Sequence, residues 1–176
     1  MVQQTYVKPR LTFSEALNVA SKRVTEFTGR SRRSEFWWCY LAVIIANMVA
    51  GFIPFVGSVV SLLLSLAIIP IIFRRLHDTG RSGWWWGASV FIGIALCIIA
   101  VVAAVPFFKD IVGSPELMDE DEFVIEFFKE IFTSPAFLIG LAVSFIYEIV
   151  MLVFLCQDSQ VGPNKYGDSP KYTTES

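Results

Sequence analysis

Apolar residues fall in four runs, about 36–53, 58–73, 84–108 and 136–156, parted by polar or turn-forming residues. About 20 apolar residues cross the hydrocarbon of a bilayer, so each run is predicted to be a membrane-spanning helix. The first two are short and join through Pro54 and Gly57, which predicts a tight hairpin. Ala42, Ala46 and Ala50 recur every four residues in the first, and Gly57, Ser61 and Ser65 in the second. Small residues at that spacing let helix backbones approach, so these two helices are expected to pack on each other. The third run is the longest and is expected to stop near Pro106.

Two further stretches carry helical periodicity with a polar face. Thr12 and Glu15 fit a capping box. Phe13, Leu17, Ala20, Val24 and Phe27 then share one face, which predicts an amphipathic helix, either on the bilayer surface or packed on the rest of the chain. In 109–135, Phe123, Phe127, Phe128, Ile131 and Phe132 oppose Glu122, Glu126 and Glu130. That predicts a second amphipathic helix, begun by Ser114-Pro115-Glu116. Thr133 or Ser134, ahead of Pro135, is expected to start the fourth span. Residues 1–11 and the end of the tail after Gln157 are predicted to lack regular structure. The fold class is therefore all-α: an integral membrane bundle of four transmembrane helices plus an N-terminal and an external amphipathic helix. Residues 1–35 form an N-terminal segment, 36–156 the transmembrane domain and 157–176 a tail.

Composition agrees with this partition. The chain has 176 residues, 55% of them hydrophobic and 17% charged, whereas soluble domains carry about 25% charged residues. Charge is segregated. Residues 1–35 hold seven Lys or Arg against three acids, and 109–135 hold two Lys against eight acids. Cytoplasmic loops are enriched in Lys and Arg, so both termini and the 74–83 connection are expected on the cytoplasmic side and 109–135 outside. The polar first 35 residues lack the order of a cleaved signal, and the first apolar run is expected to act as an anchor. Cys39, Cys97 and Cys156 have no metal-type spacing and are expected to be buried thiols.

The candidate chemistry lies on the basic side. Arg74–Trp86 packs three arginines, the one histidine and three tryptophans into thirteen residues. Guanidinium forks match phosphate oxygens, so Arg30, Arg32, Arg33, Arg74, Arg75, His77, Asp78, Arg81 and Trp84 make a candidate site for an anionic lipid or a protein partner. The competing reading is orientation signal with interfacial tryptophan anchoring. Asp78 and Glu35 are acids within reach of these arginines in the threading, so the 74–83 connection is predicted to fold against 29–35 through arginine–carboxylate pairs. Glu148 lies inside the fourth run, where a carboxylate is costly. Gly140, Ser144 and Glu148 share a face predicted to meet another helix, with Asn47 and Ser65 as candidate partners at similar depth. A lone histidine without cysteine neighbours is a poor metal site, and no nucleophile–base order is evident, so no catalytic residue, metal or cofactor is expected.

Three pieces together resemble a known bacterial inner-membrane family, domain of unknown function 805: Phe27–Trp38, Arg74–Trp86 and Gly162–Pro170. Family-motif positions would be Gly29, Arg30, Arg32, Glu35, Trp37, Arg74, Arg75, His77, Asp78, Gly80, Ser82, Gly83, Trp84, Gly162, Asn164, Tyr166, Gly167 and Pro170. The resemblance implies a small multi-span protein of the bacterial cytoplasmic membrane with no established activity. Compact members join the last two spans by a short turn, so the acidic 109–135 segment departs from the pattern. The function expected is non-enzymatic, with membrane lipids as partners, or a second copy or another membrane protein, and no nucleic acid. The alternative is a small oligomeric transporter or channel that uses Glu148.

Overall fold

The computed structural model describes residues 4–113 and 120–175. The Ser114-Pro115-Glu116 helix start lies outside them. The chain divides into two compact units, one made of residues up to Trp86 together with those from Leu152 on, the other of Gly87–Met151.

The first unit opens with β1 (Gln4–Val7) and continues with α1 (Phe13–Ser21), α2 (Arg33–Ala50), α3 (Val56–Ala67) and α4 (Ile69–Asp78). The capping box forms: Thr12 Oγ1 accepts from the Glu15 N–H, and a Glu15 carboxylate oxygen accepts from the Thr12 N–H at 2.8 Å. α1 is shorter than its periodicity suggested: it ends at Ser21, and Arg23 and Glu26 pair in the turn that follows at 2.6 Å. Its buried residue is Ala16, set against α2, where the Cys39 thiol donates to the Ala16 carbonyl. Phe13, Val24 and Phe27 stay exposed.

The α2–α3 hairpin is tight at its tip. A Cβ on Gly57 would stand 1.9 Å from the Ala50 carbonyl oxygen, so only glycine allows this approach. Of the small-residue stripes, Ala50 and Gly57 make that contact. Ala42 and Ala46 instead line a slot between α1, α2 and the α3–α4 stretch, and Ser65 is exposed.

The second apolar run continues further than its sequence suggests. It bends at Ile68, where Pro70 sits in the first turn of α4, a position that needs no intrahelical N–H. The helix then carries Arg74–Asp78 as its last turns, so the residues read as a loop are helical as far as Asp78. Only Thr79–Gly83 connects to α5 (Trp84–Ala103).

Within the second unit the third run breaks at Ala104, before α6 (Val105–Gly113). Pro106 lacks the N–H of a helix interior and crowds the carbonyl four residues back. α7 (Glu120–Thr133) bears the expected apolar face. Its Phe123 and Phe127 rings meet Phe107 of α6 at 5.0 and 5.6 Å, and Ile131 is buried. α8 (Pro135–Cys156) starts where predicted, with Ser134 Oγ accepting from the Phe137 N–H.

The protein is mostly helical, and three stretches are long and apolar enough to cross a membrane: Val56–Asp78, Trp84–Lys109 and Pro135–Cys156. α2, expected as a further span, is not among them. Its 18 residues include Arg33 and Glu35 in the first turn and Asn47 near the end, which lowers the mean hydropathy of the helix.

The ends are not structureless. β1 pairs antiparallel with β2 (Tyr172–Glu175), Val7 opposite Tyr172. A two-stranded ribbon is marginal alone. This one is tied down by Lys171, whose ammonium meets Asp158 at 2.5 Å, and by Arg32, which donates to the carbonyls of Lys8 and Pro9. Burial works against the charged Asp158 carboxyl, but the Lys171 hydrogen bond, the Ser159 N–H and Arg33 together hold it below the ordinary carboxylate range. A depressed acid stabilises the fold above its unfolded value, about 3.9, and that contribution disappears as pH falls through the folded value. Amide exchange of Tyr172 and Thr173, corrected for intrinsic rate, is therefore expected to be flat from pH 7 to 5 and to accelerate below pH 4. The side chain is 45% exposed, so the effect is less than about 1 kcal/mol. Exchange that is flat down to pH 2.5 would remove Asp158 as the anchor.

Candidate functional site

Asp78 ends α4 with its side chain fully buried. One carboxylate oxygen accepts from Arg30 Nε at 3.0 Å, and the other from Arg75 Nη1 and Ser159 Oγ, both at 2.5 Å. The rest of the Arg30 fork donates to the carbonyls of Gln160, Gly162, Gly167 and Asp78. Arg75 donates onward to the carbonyls of Ser31, Leu155 and Gln157.

A second pair lies beside the first. Arg74 meets Glu35 at 3.5 Å, with Ser31 Oγ accepting from Arg74 Nε and donating to Glu35. Arg74 also donates to the carbonyls of Arg23 and Glu26 at 2.7 and 2.6 Å. The predicted docking of 74–83 on 29–35 is present, and both acids pair with arginines.

Burying an ion pair costs several kcal/mol per ion unless the remaining donors are satisfied. Here main-chain carbonyls satisfy them. Those at the end of α8 are the groups a helix leaves without intrahelical partners, and they carry the negative end of the helix dipole. Arg75 takes the carbonyls of Leu155 and Gln157, and Arg33 that of Cys156. The buried arginines are thus a clasp that joins α4, the 29–35 segment and the 155–167 segment.

The motif residues between them close the clasp. His77 Nδ1 donates to the Gly29 carbonyl at 3.1 Å, and its ring stacks on Tyr166 at 3.8 Å. The acceptor is a carbonyl, so Nδ1 carries the proton. Asn164 donates to the His77 carbonyl. Gly80 has φ +78°, and a Cβ there would stand 2.4 Å from the Gln160 amide. Gly83 lies against the Phe73 ring, 2.1 Å from where its Cβ would be. Arg81 donates to Gln157 Oε1 at 2.6 Å and lies over the Phe154 ring. Trp84 is 72% exposed.

Not every predicted site residue joins the cluster. Asn47 has its Oδ1 buried with no hydrogen-bond partner among the described residues. Glu148 is exposed on α8, while Gly140 lies against Leu96 of α5. The face that these two share by spacing is therefore not one packed face within their unit. Of the cysteines expected to be buried, only Cys39 is; Cys97 and Cys156 are exposed, and all three are free. Their helices turn those positions outward.

An open cavity of about 830 Å³ lies in the same unit. Lys8, Arg10, Arg32, Arg33 and Lys171 line it, with Asp158 as the one acid among the described residues and Trp37 and Trp38 in the wall. The side chains of Lys8 and Arg10 are exposed and form no hydrogen bond or ion pair with the described residues. Burial lowers the pKa of Arg32, Asp78 opposes that shift, and the Arg10 charge adds to it. Arg10 therefore contributes positive potential in this cavity. Sequence reasoning missed Lys8, Arg10 and Lys171, because it left both ends without structure, and Ser159 and Gln160, which carry no motif.

Membrane-capable helices joined to a buried polar clasp define a helical integral membrane protein. The chain belongs to the family described as Protein of unknown function (DUF805), whose model matches residues 24–168. It is 26% identical over 159 residues to Inner membrane protein YhaI of Escherichia coli strain K12, covering 86% of this chain and 91% of that protein. It is 34% identical over 76 residues to Inner membrane protein YhaH of the same strain, covering 36% of this chain and 63% of that one. No solved structure matches the chain.

Proposed function

We propose that this is a non-enzymatic protein of the bacterial inner membrane whose basic cavity holds the phosphate of an anionic lipid headgroup. The observation that carries this reading is the division of labour among the cations. Arg30, Arg74 and Arg75 are buried and occupied by carboxylates and carbonyls. Lys8 and Arg10 are exposed and uncommitted, beside Arg33 and the paired tryptophans. Tryptophan favours the water–lipid boundary, where cations near an anionic leaflet contribute about 1 kcal/mol each. In the threading that goes with this reading, α2 joins the three longer stretches as a fourth span, and both ends and the cavity face the cytoplasm.

Native mass spectrometry of protein released from phosphatidylglycerol nanodiscs tests it. Wild type is expected to retain phosphatidylglycerol over phosphatidylcholine. A Lys8→Ala/Arg10→Ala variant is expected to weaken that retention by about 30-fold, the equivalent of about 2 kcal/mol. Equal retention of both lipids, or an unchanged variant, would leave these cations as orientation signal. Binding of inorganic phosphate as tight as that of the lipid would point to a soluble anion instead.

A further inference from the structure

We propose that the slot between α1, α2 and the α3–α4 stretch is a binding site for one acyl chain of a bilayer lipid. The site is separate from the headgroup cavity, and it rests on the proposed threading in which α2 crosses the bilayer.

The slot has a volume of about 300 Å³. An apolar cavity of about 150 Å³ already stays dry and takes up small hydrocarbons, and ligand sites begin at about 300 Å³. Its cause is local. Gly57 pins the hairpin tip against Ala50, and below that contact the facing positions Ala20, Ala42, Ala46 and Ala67 are too small to close the gap.

The slot is elongated. It follows α2 from Cys39 to Ala46 and the neighbouring stretch from Leu64 to Ile71, a length of about 10 Å at ~1.5 Å per residue. It is also polarised, with Arg23 and Arg74 at one end and apolar side chains along the rest. Arg74 is fully engaged in the clasp. Arg23 is 29% exposed, bonded through Nε to Glu26 and through Nη2 to the Thr28 carbonyl. Its Nη1 has no partner among the described residues. An apolar channel with a guanidinium at its mouth matches an amphiphile in both shape and charge. The α2 residues that line it are among those proposed to cross the bilayer, where lipid chains are the abundant apolar molecules.

The test uses the full chain in phosphatidylglycerol vesicles whose acyl chains carry a diazirine. After irradiation, label is expected on Cys39, Ala42 and Val43 as well as on the outward residues Ile45 and Met48. Ala46→Phe fills the slot, and is expected to cut the inward labelling several-fold while leaving the outward labelling unchanged. Ala42→Leu is a milder filler and should act the same way. Lys8→Ala/Arg10→Ala should leave the inward labelling intact, which separates this site from the headgroup cavity. Inward labelling at background in wild type, or unchanged in both filled variants, overturns the proposal. A second reading needs no filled variant. With Cys97→Ser and Cys156→Ser in place, N-ethylmaleimide should alkylate Cys39 several-fold faster in delipidated protein than in vesicles, and equal rates overturn it.

Discussion

Asp78→Ala is expected to cost about 3–5 kcal/mol, the largest effect of any single substitution in this chain. The removed carboxylate holds Arg30, Arg75 and Ser159 at once, and both guanidinium groups are buried. Without it two charges face each other in a dry site with only carbonyls for compensation. The result should be a chain recovered from membranes in small amount, with the 157–175 segment open to protease. Thermal unfolding in detergent and limited proteolysis measure both outcomes. A sharper comparison removes all three charges together, as Arg30→Met, Arg75→Met and Asp78→Leu. Replacing a buried ionic group by apolar residues of similar size is often close to neutral, so the triple variant should be more stable than Asp78→Ala alone. A single variant as stable as wild type would mean that the cluster is hydrated and the clasp is not a structural core.

Gly57→Val should be the most damaging change among the apolar helices. The first atom added lands 1.9 Å from the Ala50 carbonyl oxygen and 2.8 Å from its carbon. Both are backbone atoms, so no rotamer relieves the overlap and the hairpin must open. Overpacking of this kind costs about 1–3 kcal/mol, which lowers the melting temperature by roughly 3–10 °C for a chain of this size. Gly93→Val is the control, since nothing lies within 4 Å of a Cβ there. Equal melting temperatures for the two variants would show that the hairpin tip is not closely packed.

The helices were legible because apolar periodicity is a local signal. The Thr12 cap, the Ser134-Pro135 start and the phenylalanine face of α7 all appeared where their spacing placed them. The docking of 74–83 on 29–35 could also be read, since Glu35 and Asp78 are the acids nearest those arginines in the threading. The identity of the other ligands could not. Arg30, Arg74 and Arg75 make most of their bonds to main-chain carbonyls, and a carbonyl leaves no mark on residue choice. The β1–β2 ribbon was invisible for a different reason: two four-residue strands are too short to show alternation above noise, and each stabilises only the other. α2 was ambiguous because one helix does two jobs. It begins in the polar clasp and ends against Gly57, so neither property dominates its composition.

The clasp also sets a schedule for biosynthesis. Arg30 bonds to the carbonyl of Gln160, 130 positions later in the chain. On a ribosome adding about 5–20 residues per second, Arg30 waits on the order of ten seconds for that partner to be made. Through that interval the pairs with Asp78 and Glu35 can form, but the carbonyls of 155–167 that complete them are missing. The clasp closes only when the last helix has been delivered and its end has reached them. A chain halted before Leu155 therefore lacks the carbonyls that satisfy Arg30 and Arg75 and the strand that pairs with β1, which is the kind of unfinished surface that quality-control proteases recognise. Delivery of the 155–167 segment and closure of the polar core are, for this protein, a single event.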